Sequence, residues 1–117
     1  MGSRNERQEF IVESIAIPIT PGTKSDPVEK LGMALVGIQT PAALTSTAMT
    51  LEGSADGVTY EPVFLFDASS AYPIVVAGHR YIAINPEVTK GIPWLKFVMG
   101  TAEAAARTLL AVFRVVD

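Results

Sequence analysis

Apolar and polar residues alternate with a period of two through most of this chain. That period belongs to β-strands covered on one face by a second layer. In residues 10–20, Ile11, Ile15, Ile17 and Ile19 fall on one face and Ser14, Ala16 and Pro18 on the other. Pro18 has no N–H to donate, so this strand is expected at an edge or in irregular pairing. Residues 31–39 set Leu31, Met33 and Leu35 against Ala34, Val36 and Ile38. Both faces are apolar, which predicts cover from a second sheet and from a neighbouring chain or loop. Gly37 marks a bulge or a close backbone approach. Residues 45–53 turn Met49 and Leu51 inward, and residues 58–66 put Val58, Tyr60, Phe64 and Phe66 on one face, with Pro62 again signalling an edge or bulge. Short strands are expected at 72–76 and 80–85, and longer ones at 94–100 and 107–116. Residues 21–30 and 67–71 read as polar loops, and 40–43 as a turn. Only the alanines of 102–106 invite a helical turn.

Eight strands separated by turn signals predict an all-β fold, an antiparallel β-sandwich of jelly-roll type. The strongest local signal is Ser54-Ala55-Asp56-Gly57, where Asp-Gly predicts a tight turn setting the register of its flanking strands. A chain of 117 residues supports one core. Residues 10–117 are expected to form one sandwich, with residues 1–9 a polar, flexible arm.

Charge narrows the partners. The net charge is −3 and the nine Lys and Arg are scattered singly, so no basic stripe awaits nucleic acid. No apolar run approaches the roughly 18 residues of a membrane span, and the polar start has no signal-peptide core. Cysteine is absent, which removes disulfides and thiol chemistry and suits synthesis in a reducing cytoplasm.

Candidate chemistry is sparse. His79 is the single histidine and lies in a Gly-His-Arg turn, so a triad or metal site would have to be assembled around it. Glu52 and Glu61 offer a two-carboxylate glycosidase reading, but the alternation turns both away from Leu51 and Tyr60, towards solvent. Asp56, Asp67 and Asn85 read better as turn formers than as calcium ligands. Tyr60, Tyr72, Tyr81 and Trp94 are candidates for an aromatic glycan platform or an interface. The Gly53–Gly57 run lacks the lysine and the strand-to-helix setting of a phosphate loop. No enzyme activity, catalytic residue, metal or cofactor is expected.

Gly53-Ser54, Asp56-Gly57 and Thr59-Tyr60, set between two strands, resemble a recurrent structural domain of tailed bacteriophages. Gly37-Ile38-Gln39-Thr40-Pro41, Tyr81-Ile82-Ala83-Ile84-Asn85-Pro86 and Trp94-Leu95-Lys96-Phe97 fit the same pattern, which covers about residues 31–116. The Ala68-Ser69-Ser70 run departs from it where a glycine is expected. The resemblance implies a jelly roll similar to discoidin and carbohydrate-binding domains, located in the virion. It implies a capsid decoration or cement protein, docked on the major capsid protein or other virion proteins and associating as a homo-oligomer, with a trimer as the expected form. The alternative is a carbohydrate-binding module of a tail or fibre, with Trp94, Tyr81 and Tyr72 stacking on glycan. The resemblance brings no catalytic residues. Residues 1–8 and 21–30 are the expected attachment segments, ordering on binding.

Overall fold

The structure, a computed structural model, describes residues 10–17, 24–30, 32–66 and 68–115. The expectations for the N-terminal arm, Pro18, Leu31 and Asp67 lie outside these residues. Among the described residues nine strands follow one another: β1 Phe10–Ile17, β2 Val28–Glu29, β3 Met33–Gln39, β4 Ala48–Ser54, β5 Glu61–Pro62, β6 Ile74–Val75, β7 Tyr81–Ala83, β8 Trp94–Met99 and β9 Arg107–Val115. All pairings are antiparallel. One sheet has the order β1-β9-β3-β7, the other β2-β8-β4-β5, with β6 also on β4.

Because β8 occupies one side of β4, β5 and β6 lie end to end along its other side. Counted as one broken strand, they leave two four-stranded sheets between which the chain passes back and forth. This is the strand order of a jelly roll, as the spacing of strand signals predicts.

The core forms where the inner faces meet. Ile15, Ile17, Leu35, Ile38, Leu109, Ala111 and Phe113 from one sheet pack with Met49, Leu51, Leu95, Phe97 and Met99 from the other. Alternation does this directly: in β8, Leu95, Phe97 and Met99 are buried while Trp94, Lys96 and Val98 are half-buried. Removing a Leu or Phe side chain from water contributes roughly 1.5–3 kcal/mol.

The expected bulge at Gly37 is present: the β3–β9 register shifts between Leu35 and Gly37. The bulge turns Gly37 outward, and the Tyr81 ring lies across it so closely that a Cβ there would fall 2.1 Å from the Tyr81 hydroxyl. Beyond the short β7, the chain itself lines the rest of β3. Ile84 N–H donates to the Val36 carbonyl, and the buried Thr89 hydroxyl accepts the Leu35 N–H at 2.8 Å. The edge of β3 that β7 leaves open is therefore paired by a loop of the same chain. That loop holds a 3-10 helix, Pro86–Val88, with Asn85 capping it through Glu87 N–H.

Three sequence expectations are corrected. Residues 24–29 are not simply a loop. Ser25 pairs with Phe97 through its backbone and accepts the Phe97 N–H on its hydroxyl at 2.9 Å, and β2 continues beside β8. The strand expected at 58–66 shrinks to Glu61–Pro62. The Asp56 carboxylate takes the N–H groups of Val58 and Thr59, and Pro62 has none to give. Val58, Phe64 and Phe66 are consequently exposed instead of facing the core. The alanine segment forms bends, not a helical turn.

The Thr89 hydroxyl accepts the buried Leu35 N–H, and a buried donor left without an acceptor costs about 1–3 kcal/mol. Thr89→Val should lower unfolding free energy by that amount in urea titrations, and Thr89→Ser should recover most of it.

Candidate functional site

The turn after β4 explains each polar residue of its motif. Ser54 Oγ accepts N–H bonds from Gly57 at 2.8 Å and Asp56 at 3.2 Å and donates to Asp56 Oδ1 at 2.9 Å. Asp56 Oδ1 in turn accepts from Val58 at 2.9 Å and Thr59 at 3.0 Å. The turn is wider than a two-residue hairpin, since Gly53 pairs with Glu61. The N–H groups of Thr59 and Val58, with the Ser54 hydroxyl, hold the Asp56 carboxyl below its ordinary range. Gly57 has φ +78°, and a Cβ there would lie 2.9 Å from the Trp94 ring. Only glycine fits both demands.

Trp94 is thus half-covered by the turn, on the outer face of the β2-β8-β4-β5 sheet. Beside it the Lys96 ammonium sits 4.2 Å from the Tyr60 ring centroid, a favourable cation–π distance. Desolvation, then the Asp56 charge, pushes the Tyr60 phenol up. Tyr81 is exposed on the outer face of the opposite sheet, and Tyr72 packs against the core from the β5–β6 connection. The structure does not bring Trp94 and Tyr81 onto one surface.

The glutamates separate as well. Cross-strand partners share a face: Glu52 pairs with Pro62, and Glu61 with Gly53. The two carboxylates therefore point to opposite faces of the sheet and cannot flank one bond. Nor is Glu52 in open solvent. Its side chain is 13% exposed, its Oε2 lies 2.8 Å from Lys24 Nζ, and its Oε1 has no partner among the described residues. Lys24 reaches it because residue 24 bridges to Val98 on β8. His79 is exposed in its turn with φ +57°. Among the described residues no three metal-ligating side chains converge, and no helix is long and apolar enough to cross a membrane.

Sequence reasoning missed one buried carboxylate. Glu103, whose side chain has no exposed surface, accepts N–H bonds from Thr45 at 2.7 Å and Ser46 at 2.8 Å. It also pairs with Arg107 Nε at 3.0 Å. Burial alone would raise its pKa, but these bonds outweigh burial and hold it below the ordinary value. The one signal for it is a lone acid among the small residues of 100–106. Its work is structural: it ties the approach to β9 onto the approach to β4.

Part of the exposed apolar surface lies along the outer edge of β4. The chain from β5 to β6 carries Phe64, Phe66 and Val75, with Phe66 86% and Val75 81% exposed. Phe66 also has φ +39°, a conformation that a bulky side chain rarely adopts. Next to Phe64, a hollow of about 320 Å³ opens between the hairpin and Gly91–Pro93, lined also by Val63 and Ile92. An edge with exposed aromatics and a notch can seat another surface; it presents no set of reacting groups. Neither family models, nor curated proteins, nor solved structures show a match to this chain.

Two outcomes follow from this geometry. Gly57→Ala should destabilise by about 1–2 kcal/mol, the cost of a left-handed non-glycine residue, and shift Trp94 fluorescence. Glu103→Gln should cost about 1–3 kcal/mol near neutral pH. Because the folded-state pKa of Glu103 is depressed, its contribution is full above the unfolded glutamate pKa. It is lost as pH falls through the lower folded value. Denaturant midpoints of the wild type and Glu103→Gln should therefore converge in acid.

Proposed function

We propose that this chain is a structural protein of a bacteriophage virion: a capsid decoration or cement module that docks on the major capsid protein and stabilises the head. The observation that carries the reading is the Phe64–Phe66–Val75 edge, together with the resemblance of the Gly53–Tyr60 motif to phage structural domains. Exposed aromatics in a strained loop cost stability alone, and contiguous exposed apolar surface usually marks an interface. Docking that edge over a joint between capsid subunits would bury Phe66 and add its burial to shell stability. The module would act as a homo-oligomer, a trimer in keeping with the resemblance. A glycan platform is not put forward, because Trp94 and Tyr81 occupy opposite layers.

The test is sedimentation with purified phage heads lacking the protein. Wild-type chain should co-sediment and raise the temperature at which heads release DNA. The Phe64→Ser/Phe66→Ser variant should fold normally and bind at least about tenfold more weakly, the effect of losing an aromatic anchor. Undiminished binding by that variant would remove the edge from the reading, and no binding by the wild type would remove the reading itself.

A further inference from the structure

The two sheets present unlike outer faces. On β2-β8-β4-β5 the outer face is charged: Lys96 stands across from Glu52, Glu29 beside Trp94, and Lys24 beside Val98. That is the ordinary pattern of an antiparallel face turned to water. The outer face of β1-β9-β3-β7 departs from it. Ile15, Leu109, Ala111, Phe113 and Ile38 point into the core. Cross-strand partners share a face, so the alternate residues form rungs on the outside. One rung runs Val12, Val112, Gly37, Ala83 across all four strands, and the next runs Ser14, Leu110, Gln39, Tyr81. Ala16 and Thr108 follow. No residue of these rungs carries a charge.

The rungs are open and level. Val12 and Tyr81 are each 58% exposed, and Ser14, Gln39 and Ala83 are exposed as well. Leu110 and Val112 lie half-buried between their neighbours. Gly37 leaves a gap in the face, and the Tyr81 ring lies across it. Arg114 is the one charged residue on this face among the described residues. It sits near the end of β9 with its guanidinium 5.7 Å from the Phe10 ring centroid, and the rim of an interface tolerates charge.

These features select the occupant. Contiguous exposed apolar surface marks an interface. The rungs offer nothing to pair with a partner's charge, and a charge buried against them would stay uncompensated. The occupant must be flat and neutral, and the same face of another copy is both. Sheets pack face to face about 10 Å apart with their strands within about 30° of one another. Strands of eight residues and four-strand width give a face of about 27 by 19 Å, roughly 500 Å² in projection. Two copies would therefore bury at least about 1,000 Å², the threshold of a specific interface. We infer that the outer face of the β1-β9-β3-β7 sheet is a self-association surface, on which two copies of this chain pack sheet against sheet about a two-fold axis. The contact buries Val12, Leu110, Val112 and Tyr81 of each copy. It is separate from the threefold association that the resemblance implies. It also belongs to the other sheet from the Phe64–Val75 edge, so it does not depend on the virion reading.

The test uses the full chain alone. Sedimentation equilibrium from micromolar to millimolar concentration should show a reversible doubling of mass. Amide NMR over the same range should shift residues 12–16, 81–83 and 108–112. Val12→Lys, at an exposed position, should weaken association at least about tenfold, because each pair would then bury two like charges. Val58→Lys, exposed in the turn after β4, should leave association unchanged. Wild-type Trp94 fluorescence and far-UV circular dichroism in Val12→Lys would show that the variant folds. A monomer at every concentration would hand the face to a different partner and overturn the inference. So would concentration-dependent shifts confined to other elements, or equal association by folded Val12→Lys.

Discussion

Phe97 has no exposed surface, and it sits in β8 between β2 and β4. The rest of the molecule is arranged around keeping it and its neighbours dry. Leu51 is its cross-strand partner, and the inner faces of β3 and β9 close over it from the opposite sheet. Its backbone is claimed as well: Ser25 takes its N–H and donates to its carbonyl. That contact draws residues 24–29 against β8 and so forms the second wall of a cleft beside β1. A core requirement thereby produces a surface feature.

The same requirement explains where the fold tolerates irregularity. Every strand that faces the core centrally is long and paired on both sides. The broken β5–β6 strand lies at an edge, where a missing ladder bond can be satisfied by water or by a side chain such as Asp56. Phe66 is displayed on that irregular edge.

Much of this was legible in the residues. Alternation located the core face of β4, and a lone glycine between apolar residues located the β3 bulge. What escaped reading depended on partners distant in sequence. Ser25 and Thr89 are polar residues buried because each bonds to a strand N–H, and nothing in their own neighbourhoods announces it. Glu103 is hidden for the same reason. The strand expected at 58–66 failed through local chemistry instead: one aspartate captured the donors that alternation had assigned to a ladder. The candidate site suffered most, because faces matter more than proximity in sequence. Glu52 and Glu61 looked paired, and a single cross-strand register places them on opposite faces.

The fold is thus a jelly roll that displays Phe64, Phe66 and Val75 along one edge. The central proposal is that a virion surface covers this edge. Quantitative mass spectrometry of purified phage particles produced from a genome that carries this sequence tests it most directly. The account predicts the chain in stoichiometric register with the major capsid protein, at hundreds of copies per head. Its absence from intact particles that are otherwise complete would contradict the account.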